Sequence, residues 1–575
     1  MLQSAKHRVA AYLSADAPPL STRWIVSLAL AATAFLLLLM DMEIGVYDES
    51  LVMQGAVEVI RGHVPHRDFF WTYGPMQLWA LAALFVAFAR TVIVARVYDV
   101  VLRGGVVLVC GLIARRLGLR AGLVAASMLF ETILLFVSGF PLYPVFPSML
   151  CALAGTLLLV DDKPGAEVRR NGLLGAGMLT GLTALFRYDI GFLVLVAHVA
   201  CLGYFALHWR ESPGRLTGQV VLYGLGVGIV FLPVAILAWA SGALPGFIHD
   251  IVRFPPANYA RMRGLPWPKP GLSGSSLLLL VCYVPFAAAA LGASWLISCR
   301  KRRLDAPGRM AAALLVMVTL FILKGVVRMS LVQSMLALVP AILLLVFLLA
   351  RTEGRAVRAG SLAVLVFVLE VTALKALSIV ASDRQAAFAS LLPARIAGSV
   401  PAAIRGTRCA ALPTLGLGVL DNATFRAACY IALHTRAGDR IYVGAGRHDK
   451  IFVNNVAPYF ATDRQPGTRW YHLEPGLQTQ APIQREIIGE LLANDVRLIA
   501  IDTRYDNANE PNDSAVSSGV HLLDRFLRSR FVKVAEFGGI EIRALPGSVR
   551  DDDAPDQRAA TGLRSLNSAS GVISK

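Results

Sequence analysis

Two adjacent carboxylates, Asp48 and Glu49, stand in a stretch reading DMEIGVYDESLVMQGAVEVIRGHVPHRDFFWTYGPMQLWALAALF. A carboxylate set beside apolar surface holds its proton more tightly than one in water. A general base needs that property when it takes a proton from an incoming hydroxyl. The plainer account is that both charges favour the start of a helix through its dipole. Ser50 is placed to cap such a helix, which runs to Arg61 and ends at Gly62, so that Asp48 and Glu49 precede it. His66, Arg67, Asp68 and Tyr73 follow in a loop and are expected to position a substrate. Tyr73-Gly74-Pro75 makes a turn, and Met76 to Phe88 is apolar but short, which suits an interfacial helix. A second group is cationic: Arg187, Arg253, Lys324 and Arg328 lie at the ends of apolar runs or in the loops between them. Ionisable residues there are costly and mark candidate sites. Snorkelling to lipid headgroups is the structural alternative.

These residues depend on a membrane bundle to position them. The 575 residues are 56% apolar and 16% charged, with a mean hydropathy of +0.60. Ordinary soluble domains carry about 25% charged residues. Apolar runs occupy 24–40, 94–114, 121–139, 148–160, 172–186, 190–208, 218–241, 273–297, 310–323, 331–350 and 359–380. Two of these eleven are short for a hydrocarbon core about 30 Å thick. Between them lie basic clusters, among them Arg115, Arg116 and Arg120, Lys163, Arg169 and Arg170, and Arg300 to Arg303. All fall on one side if the spans alternate, together with Lys6, Arg8 and Arg23. The positive-inside rule makes that side cytoplasmic. Most of the +17 formal charge therefore orients the chain and does not grip nucleic acid. No cleavable signal is expected, because Asp41 and Glu43 follow the first run without a small-residue cleavage site. Arg187, Lys324 and Arg328, and Arg253, Arg261 and Arg263 in the second loop, break the pattern by falling on the outer side. Arg187 and Asp189 are placed to pair, and Asp99 and Arg103, at i and i+4 in one span, read as a structural pair.

The expected domains are a cytoplasmic N-terminus (1–23), a membrane domain (24–380) with outer loops 41–93 and 242–272, an exported α/β domain (381–548) and a polar tail (549–575). The α/β domain alternates helices (422–435, 482–494, 521–530) with strands (440–443, 496–502), then adds a strand pair (531–543) turning at Gly538-Gly539. Such alternation points to a largely parallel sheet. Its acids and histidines lack spacing for acid–base or metal chemistry, so it reads as an accessory; Asp502 and Asp506 read as a strand-end turn. Cys110, Cys151, Cys201, Cys282 and Cys299 read as small buried hydrophobes. A disulfide between Cys409 and Cys429 stays open.

Several features come in order: the first span, the Asp48-Glu49 pair, a Gly-x-x-Pro-x-x-Asp-Phe stretch (62–69), the aromatic-apolar segment from Tyr73 to Leu84, and a span ending in Ala-Arg-Arg-Leu (114–117). In this the chain resembles the GT-C superfamily of polyprenyl-phosphate-dependent glycosyltransferases, in particular protein O-mannosyltransferases and aminoarabinose transferases (glycosyltransferase family 39 and relatives). Relatives often have Pro-Pro where this chain has Tyr-Gly-Pro, which marks a divergent subgroup. The resemblance implies an α-helical polytopic, GT-C-like fold of about eleven transmembrane helices with a small C-terminal α/β domain. It implies an inverting sugar transfer from a polyprenyl-phosphate donor to an acceptor hydroxyl, the acceptor being undefined. Asp48 would act as base with Glu49 as its neighbour, and Arg187, Arg253, Lys324 and Arg328 would hold the leaving phosphate. Where relatives carry Arg-x-Asp-x-x-His, this chain has Arg328, Ser330 and Gln333, so no proton transfer is expected there. Some relatives bind a divalent metal near the acidic pair and some do not, so a metal stays open and no other cofactor is implied. The expected location is a bacterial inner membrane. A transporter or flippase of lipid-linked glycans is the alternative, but matching halves with broken helices are not evident. A scaffold protein would leave the acidic pair unexplained.

The one-sided basic clusters yield a direct test. Reporter fusions after residue 385 are expected to be active only in the exported compartment; cytoplasmic activity there would overturn the span count.

Overall fold

The computed structural model describes residues 20–41, 43–160, 170–209, 211–269, 271, 273–300, 303–381, 412, 414–415 and 418–548. Most of the N-terminal segment, the basic residues Lys163, Arg169, Lys301 and Arg302, Cys409 and the polar tail lie outside them.

The membrane part opens with α1 (Thr22–Leu38), the outer-loop helices α2 (Asp48–Ile60) and α3 (Met76–Ala87), and α4 (Val92–Arg116). Next come α5 (Ala121–Val137), α6 (Val145–Leu159), α7 (Arg170–Phe186), α8 (Tyr188–Trp209) and α9 (Pro213–Ala240). The second outer loop carries α10 (Phe254–Arg263). It is followed by α11 (Gly274–Leu280), α12 (Val284–Ser298), α13 (Ala306–Val326), α14 (Leu331–Arg351) and α15 (Arg355–Val380). Each of the eleven apolar runs is met by a helix, the run at 273–297 by α11 and α12 together. Among the described residues, seven helical stretches are long and apolar enough to cross a membrane by length and composition.

Burial sorts the helices. α14 is apolar on all sides and buried from Val332 to Leu348, so it is the centre of the bundle. α9 and α15 leave most of their apolar surface uncovered, as lipid-facing helices do. α13 begins where Asp305 accepts the Gly308 N–H at 2.9 Å and Pro307 pre-sets the first turn. Within α4, Arg103 and Asp99 form a buried ion pair at 2.7 Å. Arg103 also donates to the carbonyls of Leu135 and Gly139 and to Ser138 Oγ, and Asp99 accepts the Leu142 N–H at 3.0 Å. The pair is structural, as the spacing suggested: it ties α4 to the chain reversal after α5.

The C-terminal part contains α16 (Asn422–His434), β1 (Arg440–Ala445), α17 (Ala457–Thr462), β2 (Gln465–Pro466), α18 (Ala481–Ala493), β3 (Leu498–Asp502), α19 (Leu522–Arg530), β4 (Val532–Phe537) and β5 (Ile540–Ala544). The sheet order is β2-β1-β3-β5-β4. β2, β1 and β3 are parallel, whereas β5 is antiparallel to both β3 and β4. The sheet is therefore mixed and not largely parallel, because the hairpin turning at Gly538-Gly539 inserts its second strand beside β3.

This part is not a separate appendage. One apolar core joins Leu51, Met53, Val57, Leu78 and Leu81 of the first outer loop to Ile431, Val443, Tyr459 and Ile542. Backbone bonds reinforce it: Ile44 N–H to Val419 O (2.9 Å), Val456 N–H to Val46 O (2.8 Å) and Phe70 N–H to Arg469 O (3.2 Å).

Leaving one partner of a buried ion pair unpaired typically costs about 3–5 kcal/mol. Arg103→Leu is therefore expected to lower the Tm of the detergent-solubilised protein, and Asp99→Leu/Arg103→Leu to recover part of that loss. An unchanged Tm in Arg103→Leu would contradict the structural role.

Candidate active site

The first turn of α2 sets the directions of the two carboxylates. The helix starts at Asp48, two residues before the position read from the sequence, and Ser50 does not cap it. The Ser50 hydroxyl donates to Gly45 O at 2.6 Å instead. Glu49 is buried, 2.8 Å from Arg96 of α4, and accepts the Gly45 N–H at 2.8 Å. It is thus engaged in holding the helix, although its Oε1 stays unpartnered. Asp48, one residue earlier and so about 100° away around the helix, remains partly exposed. Burial pushes its carboxyl above the ordinary aspartate value, opposed by the nearby charges of Arg263, His472 and Arg328.

The groups around Asp48 come from three distant stretches. Arg263, at the end of α10, donates to both Glu474 oxygens at 2.8 and 2.9 Å. Burial alone would raise the Glu474 carboxyl, but Arg263 overrides it and holds Glu474 below the usual carboxylate range. The Tyr47 hydroxyl lies 3.1 Å from Glu474 Oε2 and 2.9 Å from His472 Nε2. His472 is buried and its Nδ1 has no partner. Arg328 pairs with Glu510 at 2.5 Å and donates to Arg263 O at 2.9 Å. A bridge between Leu265 and Arg328 pins the second outer loop to the end of α13.

A second cluster gathers at the outer ends of α7, α8 and α13. Arg187 donates to both oxygens of Asp189 (3.0 and 2.9 Å) and to the Tyr143 hydroxyl (3.0 Å). Lys324 meets the same Asp189 at 3.1 Å and stands 5.5 Å over the Tyr259 ring. The Asp189 side chain is 42% exposed, while those of Arg187 and Lys324 are only 6% and 10% exposed. Its carboxylate is therefore the exposed face of the cluster, backed by two buried cations. Gln333 donates to the Tyr143 hydroxyl at 2.7 Å and so helps to fix the Arg187 side.

Tyr73 joins the clusters. Its ring lies 4.7 Å from the Arg187 guanidinium. Burial and Tyr143 push its hydroxyl far up, Arg187 opposes them, and the Asp48 carboxylate adds to the rise, so Tyr73 stands within the field of both. Its turn permits this approach: a Cβ on Gly74 would fall 1.8 Å from Leu185 O, so only glycine lets the loop press against α7.

The other sequence candidates sit elsewhere. His66, at φ 70°, bonds buried Asp250 at 3.1 Å and ties the two outer loops together. Arg67 clasps Asp68 at 2.9 and 2.7 Å, and Asp68 accepts the Val64 N–H, closing a turn. Arg253 is exposed on the π-helical segment Ile248–Arg253. Sequence reasoning left His472, Glu474 and Glu510 out altogether, and it noted Arg263 only as one of several loop cations.

A divalent ion does not suit the Asp48-Glu49 pair. Glu49 is committed to Arg96, and Asp48 is surrounded mainly by cations. Among the described residues, the acids and histidines close enough to share an ion are Asp449, His521 and Asp524 of the C-terminal part. There Asp449 is already held by Arg447 through both oxygens.

No family model matches the sequence, and no curated protein does. Solved structures match across nearly the whole chain. ArnT from Cupriavidus metallidurans bound to undecaprenyl phosphate is 16% identical, with 92% of this chain and 100% of that chain covered and a TM-score of 0.50. ArnT from the same organism in the apo state is 15% identical, covering 91% and 97% at a TM-score of 0.47. Arabinofuranosyltransferase AftD from Mycobacteria is 14% identical, covering 93% of this chain and 40% of that one at a TM-score of 0.45. The chain therefore shares the overall fold of that undecaprenyl-phosphate-bound ArnT structure, and its long apolar helices mark it as a multi-pass membrane protein.

Proposed function

We propose that this protein is a membrane glycosyltransferase that moves a sugar from a polyprenyl-phosphate carrier to an acceptor hydroxyl, with inversion. The observation that carries the reading is the pair of buried cations, Arg187 and Lys324, gathered on the one exposed carboxylate of Asp189, with the Tyr73 ring 4.7 Å from Arg187. A base and a cationic cradle around one hollow are what such a transfer requires. The solved ArnT structure of like fold holds undecaprenyl phosphate, and a carrier of that class suits the cations here. The reaction takes place at the exported face of a bacterial inner membrane, with the N-terminus cytoplasmic and residues 381–548 outside.

In the proposed step, Asp48 takes the proton of the acceptor hydroxyl as its oxygen attacks the anomeric carbon. The bond from that carbon to the phosphate oxygen breaks, and its electron pair leaves with the polyprenyl phosphate. Arg187 and Lys324 bear the developing phosphate charge, which fixed cations in a partly dry site do well. Arg328 is already neutralised by Glu510, so it holds the C-terminal part over the hollow and does not bind donor. Arg253 has no part in the step.

Losing a general base typically costs about 10²–10⁴ in rate. Asp48→Asn is expected to lower turnover by about that factor with donor affinity little changed. Arg187→Met is expected to weaken donor binding and turnover together, whereas Arg328→Met lowers thermal stability and leaves donor affinity near wild type. Wild-type turnover in folded Asp48→Asn would sink the assignment of the base.

The raised Asp48 carboxyl predicts the pH profile. Asp48 must be ionised to accept a proton, so the rate falls as pH drops through its elevated pKa. The acid limb of kcat/KM is expected above the ordinary aspartate value of about 3.9 and is expected to vanish in Asp48→Asn. A limb at or below the ordinary value would rule Asp48 out as the titrating base.

A further inference from the structure

The C-terminal sheet has its own crevice, lined by none of the residues grouped around Asp48. The chain leaves β1 toward β2 on one side, and β3 lies on the other side of β1. After β3 the chain turns away through α19 to the hairpin. The connections leaving the carboxyl ends of β1 and β3 therefore diverge, and open α/β sheets bind ligands at such switch points. A cavity of about 270 Å³ lies there, walled by Gly446 after β1, Asp506 after β3, Asp524 and Arg528 of α19, and Glu541 and Arg543 of β5.

Most of its charges are spoken for. Arg543 donates to Glu541 at 2.9 Å, and Asp524 accepts His448 N–H at 3.1 Å and faces His448 Nδ1 at 2.8 Å. Two groups remain. Asp506 Oδ1 is buried with no partner. Arg528 lies within the field of Asp524, but among the described residues its one hydrogen bond is a long contact, 3.4 Å, to Gly446 O. Leaving a buried carboxylate oxygen without a donor is costly unless a ligand supplies one. A Cβ on Gly446 would fall 2.1 Å from the Asp506 carboxylate, so glycine is what admits that carboxylate to the crevice.

An occupant must donate to Asp506 and accept from Arg528 while adding no net charge, since an anion or a cation would leave one of them uncompensated. Hydroxyl groups do both. The volume is just under the roughly 300–1,000 Å³ of ordinary small-molecule sites, which leaves room for a single ring. We propose that this crevice is a saccharide subsite that takes one sugar ring of a glycan, apart from the hollow at Asp48. The choice of a sugar among polyols rests on the proposed transferase function; the cavity and its unpaired groups do not.

The test uses the full-length protein in detergent, with saturation-transfer NMR on free glucose, galactose, mannose and arabinose. At least one sugar is expected to bind, and to bind about tenfold more weakly or worse in Asp506→Asn and in Arg528→Gln, each removing a charged hydrogen-bonding group. Gly446→Ala, which displaces the carboxylate by bulk alone, is expected to act alike, and Asp48→Asn to keep wild-type binding. If binding is lost in Asp48→Asn and kept in Asp506→Asn, the sugar occupies the transfer hollow; the subsite is then wrong while the transferase reading stands. Absence of binding by all four sugars overturns the subsite as well.

Discussion

Glu49 and Arg96 meet 2.8 Å apart where almost no water reaches, and the geometry of the hollow follows from that contact. Separating such a pair would strand a charge in apolar surroundings, so the first turn of α2 is fixed against α4. With Glu49 turned inward to Arg96, helical geometry leaves its neighbour Asp48 directed toward the second outer loop and the C-terminal part. One carboxylate thus acts as an anchor, and the other is left without an ion pair, as the proposed base requires. Burial raises both carboxyls; what separates them is that Glu49 has a guanidinium partner, whereas Asp48 has no direct ion pair among the described residues.

The C-terminal part is locked over this site by charge and by apolar contact. Arg263 with Glu474 and Arg328 with Glu510 join it to the outer ends of the membrane helices. Beneath them the apolar core is continuous from α2 and α3 into the sheet. Ion pairs at such a boundary contribute orientation more than net stability, because desolvation offsets much of their attraction. The apolar core supplies the adhesion, and the pairs fix the register at which His472 and Glu474 meet Tyr47.

The spans were legible because a bilayer demands long apolar runs and tolerates little else. The helices and hairpin of the C-terminal part were legible for a similar local reason, since each carries its own periodicity or turn. The start of α2 was missed by two residues because Ser50 has the chemistry of a cap, yet its hydroxyl serves Gly45. β2 is two residues long and has no pattern to read. The candidate site was half legible. Asp48, Tyr73, Arg187 and Lys324 announce themselves as polar groups in apolar company. His472 and Glu474 lie in a short polar loop, HLEPG, and join the site through contacts to Tyr47 and Arg263, more than two hundred residues away in sequence. No local spacing encodes such a contact; packing does.

The balance of charge around the hollow also separates cations that look equivalent in sequence. Arg263 faces Glu474, and Arg328 faces Glu510, each pair neutral in itself. Arg187 and Lys324 share the single carboxylate of Asp189, so that group retains one positive charge. An incoming phosphate gains little from a cation already matched to its own carboxylate, and must pay to desolvate beside it. It gains most where cations outnumber carboxylates and the site is partly dry. Tyr143, Tyr73 and Tyr259 surround that point with aromatic faces that favour cations without neutralising them. The excess charge at Arg187 and Lys324, more than the presence of arginine at any one loop, is what would suit this corner of the bundle to the anionic leaving group of the proposed transfer.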